Sequence, residues 1–280
     1  MGAHDSWLQR SRLTQSTLDP WPAQALSRSL GSPAAAPADR LPLLWHWLYF
    51  LEHAAREDIG HDGHPRKGDF YPPIEQPRRM FVGGRSRTHA ALRIGSPAEL
   101  EETIQRCEEK QGGMGRMTLL TVAYRYSQDG VLCVEEERDF MYLPERSGES
   151  PEARTEELVD IPSASWQLDV PTDPVLLFRF SALTFNGHRI HYDREYAQQQ
   201  ESYPDLVVHG PMTALLLADL ARFETGRELV SFGFRARAPL FVGDLLRLRG
   251  EPPADDGSIQ LSAYRPDGQL AMTAEAFVET

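Results

Sequence analysis

The sequence predicts an α+β protein in which long antiparallel strands curl around an apolar helix. Three observations carry that expectation. Residues 212–224 form an apolar stretch between Pro211 and Gly226. Strand-like runs follow it at Glu228–Ala238, Asp244–Glu251, Ile259–Tyr264 and Leu270–Val278. A second pair of runs, Met117–Tyr126 and Val131–Tyr142, flanks the turn signal Asp129–Gly130. A helix that is apolar nearly all round must be buried. Antiparallel strands joined by short turns can supply the layer that buries it.

Taken in order, the first piece opens with a helix. Asp19–Pro20 offers an N-cap followed by proline at the first helical position, and Trp21–Leu30 runs to a stop at Gly31. Proline- and glycine-rich loops fill the interval from Gly60 to Pro77. From Met80 the pattern turns toward strands, with Asp129–Gly130 as the hairpin turn. The segment from Arg146 to Glu157 holds no large apolar residue and reads as a solvated linker. The expected organisation is therefore an N-terminal unit at 1–145, a linker at 146–162 and a C-terminal unit at 163–280. In the second piece, Pro211 sits at a helix start, where its missing N–H costs nothing, and Leu215, Leu216, Leu217, Leu220 and Phe223 leave little polar face. Asp256–Gly257 and Asp267–Gly268 mark turns. Arginines alternate in Phe234–Arg237 and Leu246–Arg249, so one strand face is expected to be wet.

Composition excludes several classes. The 280 residues hold 29 Lys plus Arg against 41 Asp plus Glu, a net charge of −12. General nucleic-acid binding, which needs clustered cations, is not expected. No apolar run approaches the ~18 residues that span a bilayer, and Met1–Trp7 carries no basic region leading into an apolar one. Cys107 and Cys133 are the two cysteines, with no CxxC, which argues against a disulfide framework or a zinc site. A cytoplasmic protein with reduced thiols is the expectation.

Three places can carry chemistry. Phe180–Asp193 gathers Asn186, His188, Arg189, His191 and Asp193 into one short stretch. Histidine titrates near neutrality without help and is the natural general base. His188, His191 and Asp193 also make a conceivable two-histidine, one-carboxylate metal set. No further ligand cluster stands out, so neither metal nor cofactor is expected. Second, His209–Gly210–Pro211 opens the apolar helix. Its unpaired N–H groups can hold a carbonyl oxygen as that oxygen gains charge, and Gly210 lets a substrate approach the backbone. Third, Arg66, Lys67, Arg78, Arg79, Arg85, Arg87 and Arg93 face only Asp69 and Glu75, a basic region suited to anions. Gly83–Gly84 and Gly112–Gly113 match no phosphate-binding loop.

Together these residues resemble the MaoC-like hotdog-fold hydratases and dehydratases. Thr184–Asp193 is similar to that superfamily's active-site motif, with His191 at the catalytic histidine and His209–Gly210 at the helix entry. Leu43–Phe50, Arg79–Arg85 and Glu135–Glu137 resemble the double-hotdog subgroup of itaconyl-CoA and mesaconyl-C4-CoA hydratases and mitochondrial-type 3-hydroxyacyl-thioester dehydratases. The resemblance implies a double hotdog of two curved antiparallel sheets, each wrapping a central helix. It also implies reversible hydration of an unsaturated acyl-CoA, with citramalyl-CoA as the product for the C5 dicarboxylic substrates and a homodimer as the assembly. One departure stands out: Asn186 occupies the motif's catalytic aspartate position. The implied roles shift accordingly. His191 becomes the base, Asn186 positions water or substrate, Asp193 orients the imidazole and Gly210 N–H holds the enolate oxygen. Arg189 or Arg179 meets a substrate carboxylate, His209 stands at the helix entry, and Arg79 and Arg85 belong to the anion-binding region. The rival readings are a dehydratase of fatty acyl chains, a non-catalytic acyl-CoA-binding module and a thioesterase, since fold alone does not set function.

Overall fold

Turn chemistry sets the strand boundaries. The computed structural model describes residues 4–31, 39–113, 115–146 and 157–279. Its N-terminal half contains β1 (Ser11–Thr17), α1 (Pro20–Leu30), β2 (Arg40–Leu41), β3 (Arg78–Thr88), β4 (Leu92–Arg93), β5 (Pro97–Gly112), β6 (Gly115–Gln128) and β7 (Val131–Leu143). The C-terminal half contains β8 (Trp166–Pro171), α2 (Pro174–Leu183), α3 (Arg194–Gln199), α4 (Gly210–Thr225), β9 (Leu229–Ala236), β10 (Leu245–Gly250), β11 (Ser258–Tyr264) and β12 (Leu270–Val278). Asp129 and Gly130 take φ of 51° and 75° between β6 and β7. Two positive φ values give the hairpin loop whose twist matches that of its strands. Residues 147–156 of the expected linker lie outside the described residues.

Ten strands form one antiparallel sheet in the order β1–β5–β6–β7–β3–β9–β12–β11–β10–β8, while β2 and β4 pair separately. The two halves meet where β3 pairs with β9, from Gly83 opposite Arg235 to Arg87 opposite Ser231. Gly83 and Gly84 are the structural reason for that seam. A Cβ on Gly83 would lie 2.8 Å from the Phe234 carbonyl oxygen, and one on Gly84 would lie 3.0 Å from the Phe234 ring.

In the C-terminal half, α4 is the wrapped helix. It packs against β9, β10, β11 and β12 and touches β3 and β8. Every residue from Met212 to Arg222 is buried, as the absence of a polar face requires. Burying each leucine contributes about 1.5–3 kcal/mol relative to exposure. The one acid among them, Asp219, is satisfied by Trp45 Nε1 at 3.0 Å and by Arg222. Gly226 ends the helix at φ 63°.

The N-terminal half is built differently in detail. Helix α1, capped by Asp19 accepting from the Trp21 N–H, packs on α2. The segment seated on the aromatic face of β3, β6 and β7 is instead a single 3-10 turn, Trp45–Leu48. His46 lies 4.4 Å from the Tyr126 ring and Trp47 6.0 Å from the Phe81 ring, centroid to centroid. Leu44 and Phe50 flank the turn at φ 74° and 55°, so this aromatic run cannot continue as a helix. The alternating arginines also divide. Arg235 and Arg237 are exposed as expected, but Arg249 is buried, because edge strand β8 lies beside β10 and supplies Asp169 at 2.6 Å.

Candidate active site

The stretch between α2 and α4 is held in place from three sides. Helix α2 ends where the Thr184 hydroxyl donates back to the Phe180 carbonyl. Phe185 then turns through φ 48°, and the Asn186 N–H returns to the Ser181 carbonyl at 2.9 Å. A small apolar cluster of Ile190, Tyr196, Ala197, Tyr203, Val207 and Phe241 anchors the next turn. Val207 N–H donates to the Ile190 carbonyl at 2.9 Å, and His191 Nδ1 lies 2.7 Å from the Val207 carbonyl oxygen. A carbonyl only accepts, so Nδ1 carries the proton and Nε2 is left with its lone pair. The ring is also clamped from the side, stacked on His209 at a centroid distance of 3.7 Å. His209 in turn is hydrogen-bonded to the Ser181 hydroxyl at 2.8 Å and is the N-cap of α4. Gly210, the next residue, starts the helix. Its N–H is one of the helix donors with no intrahelical acceptor.

His191, Gly210 and Asn186 line one cavity of about 870 Å³ that reaches into both halves. Burial lowers the His191 pKa to about 4, opposed by the Val207 carbonyl and assisted by the neighbouring His64 ring. Burial, followed by the neighbouring His191, also pushes His209 well below its ordinary range. Both rings are therefore neutral at pH 7. Asn186 Oδ1 accepts from the His188 N–H at 3.0 Å, which aims this amide without involving a charge.

A carboxylate from the other half of the chain lies beside this stretch. Asp62 and His64 form a pair at 2.9 Å, and the His64 ring lies 4.2 Å from that of His188. The loops cross backbone to backbone. The Asp62 carbonyl accepts from the Arg189 N–H at 2.9 Å, and a Cβ on Gly63 would fall 1.9 Å from the Gly187 carbonyl oxygen. Only glycine permits that crossing, at φ 91°. Burial opposes ionisation of Asp62, but its bonds to His64 outweigh it and hold the carboxyl below its usual range. Burial lowers His64, and burial together with His64 and His191 holds His188 far below its ordinary value. Asp62, His64 and His188 offer ligand atoms within 4.8 Å of one another. The Asp62 carboxylate, however, already accepts from the His64 ring and from the His64 N–H. This arrangement is an oriented carboxylate–imidazole pair.

The remaining residues named from sequence do not all converge. Arg79 lines the cavity. Asp193 does not orient His191: its carboxylate binds Arg189 at 2.7 Å and caps α3 through the Tyr196 N–H, and the Val207 carbonyl takes the orienting role instead. The same ion pair keeps Arg189 at the surface, away from the cavity lining. Arg179 is exposed on α2, and Arg85 is ion-paired with Glu137 and Asp139 on β3. The metal set of His188, His191 and Asp193 is not assembled. Sequence reasoning missed Asp62 and His64, whose signal was the dense His61-Asp-Gly-His64 run inside a loop. It also missed the buried group around Glu136. Burial works against that carboxylate's charge, yet Arg138 and His46 hold its pKa down to about 2. His46 Nε2, Trp47 Nε1 and Arg138 all donate to it, at 2.9, 2.9 and 3.0 Å.

The family model for hydroxyacyl-thioester dehydratase type 2 matches residues 44–242. The chain belongs to this family. Among the chain's relatives, the mesaconyl-C(4)-CoA hydratase of Chloroflexus aurantiacus is 47% identical over 271 residues, covering 96% of this chain and 95% of that protein. A MaoC-like dehydratase from Phytophthora capsici superposes with a TM-score of 0.71 at 13% identity, over 100% of this chain and 98% of the other. A Mycobacterium tuberculosis protein described as having a double hotdog fold superposes at 0.56 and 14% identity, over 96% and 95%. The chain is accordingly a double hotdog, with its two halves fused edge to edge, and a hydro-lyase by family. No helix among its described residues is long and apolar enough to cross a membrane.

Proposed function

We propose that this enzyme hydrates a C5 dicarboxylic unsaturated acyl-CoA, mesaconyl-C4-CoA and through it itaconyl-CoA, to citramalyl-CoA. The observation that carries the reading is the His191 imidazole. Its proton is fixed on Nδ1 by the Val207 carbonyl, leaving Nε2 as a base in the cavity that Gly210 also lines. The 47% identity to a mesaconyl-C(4)-CoA hydratase over nearly both chains supports the choice of substrate.

In the addition, His191 Nε2 takes a proton from water while the hydroxyl oxygen bonds to the carbon bearing the methyl and carboxylate groups. The alkene pair moves toward the thioester and its oxygen gains charge. The Gly210 N–H at the positive end of α4 stabilises that charge; a donor of this kind contributes ~2.7–4 kcal/mol. Collapse of the enolate takes a proton onto the carbon next to the thioester, returned by the imidazolium. Asn186 holds the water. His64, held by Asp62 and adjacent to His188, lines the same chamber and is a second proton carrier. Itaconyl-CoA has its alkene one carbon further from the thioester, so the same base first removes the intervening proton and the resulting imidazolium returns it to the terminal methylene carbon, giving the mesaconyl isomer.

All of these groups come from one chain. The reading therefore does not depend on the expected homodimer or cytoplasmic location. A panel of mesaconyl-C4-CoA, itaconyl-CoA and crotonyl-CoA with products identified by mass tests the reading. Citramalyl-CoA should form from the first two, and His191→Ala should lose ~10²–10⁴-fold in kcat. Turnover restricted to crotonyl-CoA and longer enoyl chains would make it a fatty acyl dehydratase. Release of free CoA would make it a thioesterase.

A further inference from the structure

Four arginines line the cavity: Arg12, Arg79, Arg138 and Arg237. Three are accounted for. Arg12 is ion-paired with Glu102 and Glu52, Arg138 is bound to Glu136, and Arg237 is exposed to solvent. Arg79 is different. It sits on β3, and its guanidinium lies over the Phe140 ring at 4.3 Å and the Tyr71 ring at 5.3 Å. It has no ion pair or hydrogen bond among the described residues. Lys67, the neighbouring cation, is already bound to the carbonyls of Ile74 and Gln76.

The two rings lie at an angle to one another, 6.5 Å apart, and the guanidinium beside them keeps N–H donors in the fork that matches a carboxylate. Half-buried at the cavity wall, the guanidinium offers its donors to whatever anion fills the chamber. The location is also right for the proposed substrate. Arg79 lines the same cavity as His64, His188 and His191. In mesaconyl-C4-CoA the free carboxylate is attached to the very carbon that receives the hydroxyl, and its counter-ion must stand close to the catalytic histidines.

Resting on the hydratase reading above, we infer that Arg79 is the specificity-determining residue: its guanidinium, held beside Phe140 and Tyr71, receives the substrate's free carboxylate. It displaces Arg189 and Arg179 from that role, since both lie outside the chamber. That contact also orients the alkene, because a bidentate pair fixes the carboxylate plane and, by conjugation, the carbon under attack.

The test uses the full chain with Arg79→Met and Arg79→Lys, each checked by its melting temperature. The first measurement is kcat/KM for mesaconyl-C4-CoA and for crotonyl-CoA, which lacks the carboxylate. The second is calorimetric binding of succinyl-CoA and butyryl-CoA, a matched saturated pair. In Arg79→Met the preference for mesaconyl-C4-CoA over crotonyl-CoA should fall by about 100-fold or more, the scale on which losing a buried charge partner acts. The preference for succinyl-CoA over butyryl-CoA should collapse with it. Arg79→Lys, which keeps charge without the fork, should restore part of both, and it carries the test if the Met variant does not fold. Equal losses on both substrates, or an undiminished preference, overturn the assignment. The two readings fail separately. A wild-type enzyme that binds succinyl-CoA through Arg79 but leaves mesaconyl-C4-CoA unhydrated sinks the hydratase reading alone. One that hydrates it while Arg79→Met keeps the preference sinks the carboxylate site alone.

Discussion

At the scale of single residues, the proposed chemistry depends on which proton a ring carries. The Val207 carbonyl fixes the His191 tautomer, and burial keeps the ring neutral by lowering its pKa to about 4. The base form therefore persists well below the ordinary histidine range. The acid limb of kcat/KM, which reports the free enzyme, is expected near pH 4 to 5 and not near 6.5. A profile that falls by half around pH 6.5 would show that the ring titrating in catalysis is not this buried one. His191 was legible in the sequence because it sits in a dense local motif. Its orienting partner was not, because a backbone carbonyl sixteen residues away has no signature. Asp193 looked like the partner only because it was near in sequence; a carboxylate four residues after Arg189 on a tight turn is captured by that arginine first.

At the scale of elements, what was legible followed from local rules. Gly–Pro at its start and Gly226 at its end delimited α4, and Asp129–Gly130 delimited a hairpin, since each is a backbone demand met within a few residues. The Leu41–Leu51 run was harder. Its aromatic density reflects the sheet face it covers, and its left-handed residues break any regular period. The crossing of the 60–64 loop over the 186–189 loop was invisible, because it joins two segments far apart in the chain. It has a sharp consequence. Gly63→Ala would drive a methyl group into the Gly187 carbonyl at a φ that L residues rarely adopt. The loops must separate, carrying Asp62 and His64 away from His188. Activity on every acyl-CoA should fall by at least tenfold, with kcat affected more than KM, while Gly31→Ala, at a positive φ with open space around it, should leave activity within twofold. Equal activity in the two variants would show that the crossing does not matter.

At the scale of the whole molecule, the two halves divide the lining of one cavity. The C-terminal half gives it His191, Asn186 and Gly210, and the N-terminal half gives it His64, Arg79, Glu102 and Arg138, with apolar walls from both. That division places an unusual number of titratable groups in the interior, and it makes stability depend on pH. Burial lowers the pKa of His46, His64, His188, His191 and His209 in the folded state. Between the ordinary value near 6.5 and the folded values, the unfolded chain binds protons that the folded chain refuses. Stability is therefore full above pH 6.5 and is lost as pH falls through that window. Glu136 adds a second, lower window. With its pKa held near 2 against an ordinary 4.5, it stabilises the fold above pH 4.5, and that contribution is lost as pH falls toward 2. Both effects carry the same sign, so the melting temperature should decline from pH 6.5 downward and steepen below 4.5. His46→Gln should weaken the upper window, because an amide can still donate to Glu136 and no longer has a proton to gain. A melting temperature level from pH 7 to pH 5 in the wild-type protein would mean that the interior histidines are not held neutral by the fold, and the base assigned to His191 would lose its physical footing.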